Sequence, residues 1–443
     1  MPETQVPPQA HIIPPASRRE IFSWAMYDFA NSGYTTVVLT AIFSAYFVAV
    51  VAGSGGDRDG SATLLWTLAT SVANGLILLT VPVVGAIADA HAWKKRFLIF
   101  TTIGCTASTA LLALAGPGDI AWAMILVIIS AFMFGSGESL IAAFLPEIAT
   151  QDRMGRISGY GWTLGYFGGL LVLGICLAYV MTAKARGDSA THYVPITLLI
   201  TAGAFALASL PTFLWLRERA IPAPLPAGVG YVRAGFSRLR RTWNEAYRFQ
   251  DLARFLVTLT LYQCGVYTVI FLAAVYAQEV MGFSTVDNIV LILLVNFTAA
   301  AGAFIFGHVQ DRLGSVRTLA ITLLLWIVAI LVAYFSTERA SFWVAANLIG
   351  LAMGSSQSAG RAVVGLFTPP DRSAEFFGLW GLATKLAAIV GPLSYGLIAY
   401  ATQGNQRFAV LATLIYFIAG LGMLLSVNEQ RGRLVALAVP PQT

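Results

Sequence analysis

Charged residues are scarce in this sequence of 443 residues: Asp, Glu, Lys and Arg make up 11% of the chain, whereas 57% is hydrophobic. Since a soluble domain carries about 25% charged residues, this composition excludes an ordinary water-soluble enzyme. It also excludes a disordered or nucleic-acid-binding chain, despite the net charge of +6. The three cysteines all lie in apolar runs, and no Gly-x-x-x-x-Gly-Lys-Ser/Thr loop is present. We therefore expect no disulfide, no metal site, no cofactor and no ATP-driven pump.

Long apolar runs take up most of the chain. A membrane-spanning helix needs about 20 residues. Apolar runs separated by charged or Pro/Gly-rich breaks predict an all-α membrane protein with twelve transmembrane helices in two six-helix repeats. We number these predicted spans along the chain. Their residues are 22–52, 63–88, 97–116, 120–145, 160–182, 194–216, 252–278, 288–310, 318–336, 341–367, 376–401 and 406–427.

Lys and Arg residues fall unevenly on the two sides of these spans. One side carries most of them, whereas the other has only Arg58, Lys184, Arg186, Arg339 and Arg407. Because basic loops stay on the cytoplasmic side of a membrane, we predict that both termini are cytoplasmic. The predicted location is the inner membrane of a bacterium, as a multi-pass protein.

The breaks between spans divide the chain into five parts. They are a disordered N-terminal tail at 1–17, a six-helix bundle at 18–216, a cytoplasmic linker at 217–250, a second six-helix bundle at 251–428 and a C-terminal tail at 429–443. Within the linker, apolar residues recur at helical spacing from Val232 to Ala246 among arginines. This pattern is typical of an amphipathic helix lying on anionic lipid. A solvated linker is the alternative.

The two halves repeat each other in sequence. Residues 135–139 (GSGES) in span 4 match residues 354–358 (GSSQS) in span 10 at an offset of 219 residues. At the same offset, the Asp-Arg pair at 152–153 falls on the Asp-Arg pair at 371–372. Separate matches in one register are unlikely by chance, so we predict that spans 4 and 10 occupy equivalent places.

The loops after spans 2 and 8 repeat as well, at an offset of 222 residues. The second copy carries Gly307, Asp311, Arg312, Gly314 and Arg317, and so resembles the signature loop G-x-x-x-D-R-x-G-x-x-R of the major facilitator superfamily. Two halves related by parallel repetition are also the architecture of that superfamily. The resemblance implies a fold of twelve helices and transport by alternating access.

The first copy of the loop departs from this signature in two places. It keeps Gly85, Asp89 and Lys95, but Ala90 replaces the basic residue and Ala92 the second glycine. A small residue allows two helices to approach, and an Asp can cap a helix N-terminus or pair with an Arg. We therefore expect both loops to form a gate on the cytoplasmic face.

A narrower resemblance lies in span 1. Residues 24–34 read WAMYDFANSGY and resemble the W-A-x-Y-D-W-A-N-S-x-Y motif of the autophagy-related vacuole effluxer family within the same superfamily. Phe29 stands where the motif has its second Trp. A well-known member of that family is similar to an amino-acid exporter of the fungal vacuole. Many bacterial members lack an assigned substrate, so the resemblance leaves the cargo open.

Polar side chains inside the predicted spans are the candidate binding residues, because such groups are costly in hydrocarbon and usually face a cavity. Asp28 and Glu138 are expected at similar depth on spans 1 and 4, which line the central cavity in the superfamily fold. Lys385 is expected near mid-membrane, where it would contact a substrate carboxylate. The candidate substrate- or proton-binding residues are Asp28, Asn31, Thr35, Glu138, Gln263, Gln357 and Lys385.

The candidate gating residues lie near the cytoplasmic face. Arg361 is close to the cytoplasmic end of span 10, and we expect it to pair with Asp311. For each candidate the alternative is a structural role, as part of a solvated turn or of an ion pair in the core. The candidate gating residues are Gly85, Asp89, Lys95, Gly307, Asp311, Arg312, Arg317 and Arg361.

These features favour a secondary active transporter of a small polar solute. An amino-acid-like substrate is preferred because two carboxylates and one lysine are expected at the cavity. A buried carboxyl group favours its neutral form, so Asp28 or Glu138 is expected to carry a coupling proton. The alternatives are a lipid or amphiphile flippase of the same fold and a membrane enzyme with a serine nucleophile. The expected partners are the substrate, a proton and membrane lipids, without nucleic acid, and the expected assembly is a monomer.

Overall fold

The structure is a computed structural model that describes residues 16–52, 61–220, 222, 249–283, 285–369, 372–402 and 405–438. Within these residues all regular secondary structure is helical, and the long helices follow the predicted order. They are α1 (Arg18–Val51), α2 (Ser61–His91), α3 (Lys94–Leu114), α4 (Ile120–Ile148), α5 (Met154–Ala185), α6 (Ala190–Trp215), α7 (Gln250–Met281), α8 (Thr285–Leu313), α9 (Ser315–Phe335), α10 (Arg339–Leu366), α11 (Ser373–Ala401) and α12 (Gln406–Leu424). A short helix, α13 (Glu429–Leu437), follows.

Ten of these helices are long and apolar enough to cross a membrane. Helix α2 is an eleventh if its parts Leu68–Thr80 and Val83–His91, which meet at 46°, form one span. Helix α10 is not among the ten. Its sequence is more polar than theirs, because it contains the buried residues 354–358 (GSSQS) and Arg361. The all-helical membrane fold is therefore confirmed, whereas the number of twelve spans stays a prediction.

Helix α1 changes its helical type halfway along. It begins with a capping box, in which the backbone N–H of Glu20 donates to Ser17 Oγ and the backbone N–H of Ser17 donates to the Glu20 carboxylate. It is α-helical up to Tyr34 and then π-helical over Thr35–Ala41 and Phe47–Val51. π-helical turns are rare and frequently mark functional sites, and this change begins at Thr35, one of the candidate binding residues on α1.

Several connections meet on one face of the bundle, which we call the basic face. It contains the starts of α1 and α7, the α2–α3, α4–α5, α8–α9 and α10–α11 connections, the segment that follows α6, and α13. These are the segments that the sequence predicts to be cytoplasmic. Hydrogen bonds and ion pairs join them within each half and between the halves.

Each half caps its third helix in the same way. In the first half the Glu218 carboxylate, just beyond α6, accepts from the backbone N–H groups of Lys94 (2.8 Å) and Lys95 (3.1 Å) at the start of α3. In the second half the Glu429 carboxylate, just beyond α12, accepts from the backbone N–H of Val316 (2.9 Å) at the start of α9. Burial raises the pKa of Glu218, although the two backbone N–H groups favour its charged form.

A second contact also recurs in both halves. In each half, a carboxylate in the first turn of the first helix (α1 or α7) pairs with an arginine that follows the sixth helix (α6 or α12). Arg219 donates to Glu20 at 2.8 Å, and Arg431 donates to Asp251 at 2.7 Å. Because the carboxylates stand at the starts of α1 and α7, the two arginines occupy corresponding places. These paired contacts agree with the internal repeat of the sequence.

The disordered N-terminal tail predicted at 1–17 lies outside the described residues except for 16 and 17. The tail predicted at 429–443 begins with α13, whose Gly432 packs against the ring of Phe367 and whose Arg431 pairs with Asp251. The helix is capped because Asn428 Oδ1 accepts from the backbone N–H of Arg431 at 2.9 Å. The amphipathic helix predicted in the linker lies outside the described residues.

Glycines allow α8 and α10 to touch along their backbones. A Cβ atom at Gly354 would lie 2.6 Å from the carbonyl carbon of Ala299 and closer still to its oxygen. At Gly302 a Cβ atom would lie 3.0 Å from the Cα of Leu351. Distances below 3.0 Å do not occur for real Cβ atoms, so the two helices can keep this spacing only with glycine at position 354.

We predict that Gly354→Ala destabilises the protein by about 1–3 kcal/mol, because the new methyl group must push α8 and α10 apart. The matched control is Gly203→Ala in α6, where no atom lies within 4 Å of the added Cβ. Thermal unfolding in detergent should show a lower Tm for the first variant and an unchanged or slightly higher Tm for the control. Equal melting temperatures would contradict the close approach of these helices.

Candidate functional site

The carboxylate of Asp89 joins the two halves at the basic face. It lies at the end of α2 and accepts from the backbone N–H groups of Ala374 (3.2 Å) and Glu375 (3.1 Å) in the first turn of α11. A helix N-terminus carries partial positive charge and free N–H groups, so a buried carboxylate is a suitable partner. One turn earlier, a Cβ atom at Gly85 would lie 3.0 Å from the carbonyl oxygen of Ala374.

Asp311 makes the corresponding contact in the opposite direction. It lies near the end of α8, accepts from the backbone N–H of Arg156 at 3.2 Å in the first turn of α5, and pairs with the Arg156 guanidinium at 3.2 Å. A Cβ atom at Gly307 would lie 3.0 Å from the carbonyl oxygen of Gly155. By the sequence offsets, each of these residues is the repeat partner of one in the Asp89 contact. Each half therefore caps a helix of the other.

The contact between α2 and α11 also contains a buried lysine that was not among the candidates. Lys94 Nζ donates to Ser373 Oγ at 2.6 Å, lies 3.9 Å from Asp89 and pairs with Glu147. The candidate Lys95 instead donates to the carbonyl oxygen of Leu216 within its own half. Alignment of the two loops selected Lys95, but α3 begins at Lys94, and the helical turn directs Lys94 to α11.

Arg361 does not pair with Asp311, and the sequence prediction was wrong on this point. Its Nη1 donates to the carboxylate of Asp28 on α1 at 2.6 Å, and both side chains are buried. The same guanidinium donates from Nη2 to the carbonyl oxygen of Ser158 at 2.8 Å and from Nε to its hydroxyl at 3.2 Å. The pairing follows from packing, because α5 brings Ser158 and α1 together around the end of Arg361.

Two indole rings enclose the Arg361 guanidinium. Its central carbon lies 4.7 Å from the ring centre of Trp24 on α1 and 5.3 Å from that of Trp162 on α5. Both distances are within the range of a cation–π interaction. Asp28, Ser158, Trp24 and Trp162 all belong to the first half, whereas Arg361 belongs to the second.

A third ion pair crosses between the halves at Glu138 and Lys385. Lys385 Nζ donates to the Glu138 carboxylate at 3.4 Å, so these two charges meet directly. Unlike the Asp28–Arg361 pair, both side chains are partly exposed, Glu138 by 31% and Lys385 by 16%. The contact is therefore longer and more exposed than the Asp28–Arg361 contact.

The remaining binding candidates lie on α1, α7 and α10. Gln263 Nε2 on α7 donates to Gln357 Oε1 on α10 at 2.6 Å, and Gln263 Oε1 has no hydrogen-bond partner among the described residues. On α1, Asn31 is buried and Thr35 is half-buried at the start of the π-helical stretch. The gating candidates Arg312 and Arg317 are exposed.

A model of the family described as vacuole effluxer Atg22 like matches residues 16–436. YxiO of Bacillus subtilis (strain 168), named as an MFS-type transporter, is 29% identical over 413 residues, which cover 92% of this chain and 94% of YxiO. Autophagy-related protein 22 of Yarrowia lipolytica (strain CLIB 122 / E 150) is 28% identical over 333 residues. That match covers 68% of this chain and 55% of the fungal protein.

Solved structures of major facilitator transporters share the fold. The human organic anion transporter MFSD10 (TETRAN) has a TM-score of 0.71 at 15% identity, and the match covers 92% of this chain and 99% of that one. The fucose:proton symporter FucP of E. coli has a TM-score of 0.69 at 14% identity, with coverage of 93% and 98%. At these identities the likeness shows the fold alone, and it is the fold that the sequence predicts.

We predict that Asp311→Ala shifts the protein toward a state that is open at the basic face. Loss of a helix cap costs about 0.5–2 kcal/mol, which corresponds to a change of roughly 2- to 30-fold in a two-state equilibrium. Spin labels at Arg153→Cys and Leu313→Cys report the distance between the halves, and the three native cysteines are buried.

The matched control for Asp311→Ala is Asp152→Ala, which removes an exposed carboxylate from the same region of the basic face. The label distances should lengthen in Asp311→Ala and stay unchanged in the control, while folding, followed by Tm, is retained. The same distance distribution in Asp311→Ala and in the parent would show that this cap does not hold the halves together.

Proposed function

The chain belongs to the Atg22-like vacuole effluxer family of major facilitator transporters, and we propose that it carries a small amino-acid-like solute across a membrane by alternating access. Membership establishes a multi-pass membrane protein with a transporter fold. Relatives include a transporter-named bacterial protein that aligns with nearly the whole chain. We propose that this protein acts in the inner membrane of a bacterium, with the basic face toward the cytoplasm.

The observation that carries the substrate class is the partly exposed pair of Glu138 and Lys385. The two charges have opposite sign, belong to different halves and lie 3.4 Å apart. A zwitterion can replace this contact, since its ammonium group pairs with Glu138 and its carboxylate with Lys385. Exchange of one set of charge pairs for another avoids leaving a charge unpaired in a low-dielectric space. The hydrogen-bonded amide groups of Gln263 and Gln357 are further candidates for contact with a polar substrate.

The basic face is closed in this structure by contacts that a transport cycle has to break. Asp89, Asp311 and Arg361 each bind groups of the opposite half there. We propose that these residues form the cytoplasmic gate, and that the solute reaches Glu138 and Lys385 from the other face in this state. Gly85 and Gly307 take part because their missing side chains let the helices close.

We predict that Lys385→Met weakens binding of a neutral amino acid by about tenfold or more, which corresponds to about 1.4 kcal/mol, because the substrate carboxylate loses its cation. The measurement is a thermal-shift panel on purified protein with amino acids, simple amines, simple carboxylates and a lysophospholipid. The matched control is Lys184→Met, which replaces an exposed lysine at the end of α5 that lies away from the basic face.

Stabilisation by amino acids that is lost in Lys385→Met and kept in Lys184→Met would support a zwitterion site. A shift caused by the lysophospholipid alone would overturn the proposal in favour of a flippase. Equal amino-acid binding in the parent and in both variants would remove Lys385 from the site.

We further propose that transport is coupled to protons at Glu138. Asp28 is held by Arg361 in this state, whereas Glu138 is partly exposed. A proton and the substrate ammonium group compete for the same carboxylate, because protonation of Glu138 removes the charge that the ammonium needs. Competition of this kind exchanges one proton for one solute, which makes the protein an antiporter.

In proteoliposomes we predict that Glu138→Gln still exchanges substrate at saturating concentration but no longer concentrates it in response to a pH gradient. The Gln side chain keeps the shape and a hydrogen bond and cannot titrate. Asp28→Asn should alter the exchange rate and keep the response to the gradient. The opposite pattern would place the coupling proton on Asp28, and a full response in both variants would place it on neither carboxylate.

A further inference from the structure

The first half of the protein forms a socket for the Arg361 side chain. We define the Arg361 socket as Asp28, Ser158, Trp24 and Trp162. It presents a carboxylate oxygen at 2.6 Å, a carbonyl oxygen at 2.8 Å and a hydroxyl at 3.2 Å to the guanidinium. The two indole rings lie above and beside the same group.

The composition of the socket is that of a binding site for an organic cation. Guanidinium and ammonium groups are bound by charge-assisted hydrogen bonds to carboxylates and by the faces of aromatic rings, especially Trp. The site is also shaped for its occupant: a Cβ atom at Gly161 would lie 2.5 Å from Nη2 of Arg361 and would contact Asp28 as well. Glycine at this position therefore leaves the space that the cation fills.

We expect the socket to stay intact when the halves separate. All four of its residues lie on α1 and α5, which pack closely, since a Cβ atom at Gly168 on α5 would lie 2.7 Å from the Cα of Phe29 on α1. Arg361 is on α10 and leaves with the second half. An open basic face would thus leave the Asp28 carboxylate without its cation, which is costly in a poorly solvated place.

We propose that the Arg361 socket is a second solute site, which binds the guanidinium or primary ammonium group of an organic cation in place of Arg361 when the basic face opens. It is distinct from the Glu138–Lys385 site, because no residue is shared. A bound cation competes with Arg361 and so keeps the basic face open. When no such solute is bound, the Arg361 side chain occupies the socket itself and the basic face closes.

A proton on Asp28 is the other way to neutralise the empty socket. The charged groups that act on Asp28 in the structure are Arg361 and Glu138. A proton would satisfy the carboxylate alone and would leave the Ser158 carbonyl and both indole faces without a cation. The whole set of contacts therefore favours an organic cation as the occupant.

The first experiment empties the socket by Arg361→Ala and titrates the purified variant with methylguanidinium chloride at constant ionic strength. Isothermal titration should show saturable binding at one site. Binding should be at least tenfold weaker in the matched double variant Arg361→Ala with Asp28→Asn. It should also be weak in the parent and in Arg361→Lys, where a side-chain cation fills the socket. Equal binding in the single and double variants would overturn the proposal.

The second experiment uses spin labels at Arg153→Cys and Leu313→Cys in the otherwise native chain, with agmatine as the added cation. Agmatine should lengthen the distance between the labels, and Asp28→Asn should abolish this effect. A distance that responds to pH and not to agmatine would overturn the proposal in favour of proton uptake by Asp28. Thermal unfolding verifies that each variant is folded.

One further variant separates this proposal from the proposed transport site. Lys385→Met should leave methylguanidinium binding to the Arg361→Ala protein unchanged while it impairs binding of neutral amino acids. Loss of amino-acid binding together with retained cation binding would confirm two sites. Loss of both in Lys385→Met would show that the socket is not independent.

Discussion

The two halves hold together at the basic face through carboxylates that bind backbone N–H groups of the opposite half. Asp89 binds the start of α11 and Asp311 binds the start of α5. A net hydrogen bond in water is worth about 0.5–1.5 kcal/mol, because water replaces each partner when the contact opens. A transporter needs this property, since a purely apolar interface of the same size would be too costly to open in every cycle. The polar caps give a closed state that is specific and reversible.

The caps depend on helices that approach more closely than most side chains allow. Gly85 and Gly307 face carbonyl oxygens of the opposite half at a spacing that an added Cβ would compress. Their positions, one turn before each capping Asp, explain why glycine and aspartate recur together at a fixed spacing in both loops. Glycine sets the distance between helices, and the aspartate uses that distance to reach a helix N-terminus. The same combination of glycine and aspartate therefore lets the first half cap a helix of the second and the second half cap a helix of the first.

Sequence could predict the helices and the repeat because both depend on local composition. It could also predict that Asp89 and Asp311 cap a helix N-terminus or pair with an Arg, but not which helix each one caps, because that depends on how the two halves pack. Counting residues gives the depth of Arg361 in the membrane but not the side of α10 from which it projects. The sequence therefore predicted Asp311 as the ion-pair partner of Arg361, whereas in the structure the partner is Asp28. Lys94 was missed for a related reason, because its direction depends on the residue at which α3 begins. Nothing in the sequence marks Trp162 and Ser158 as neighbours of Arg361, because only the tertiary packing brings them together.

The places where the two halves differ matter more for the proposed function than those where they agree. By the repeat, Glu138 corresponds to Gln357, so the first half has an acid where the second has an amide. Apart from the gating aspartates, two ion pairs join the halves with the same polarity: the carboxylates, Asp28 and Glu138, belong to the first half, and their cations, Arg361 and Lys385, belong to the second. Separation of the halves then pulls unlike charges apart in a medium where this is expensive. In the proposed function, a solute with a positive group for one half and a negative group for the other would lower that cost, so the same placement of charges would select the solute and link its binding to the movement of the halves.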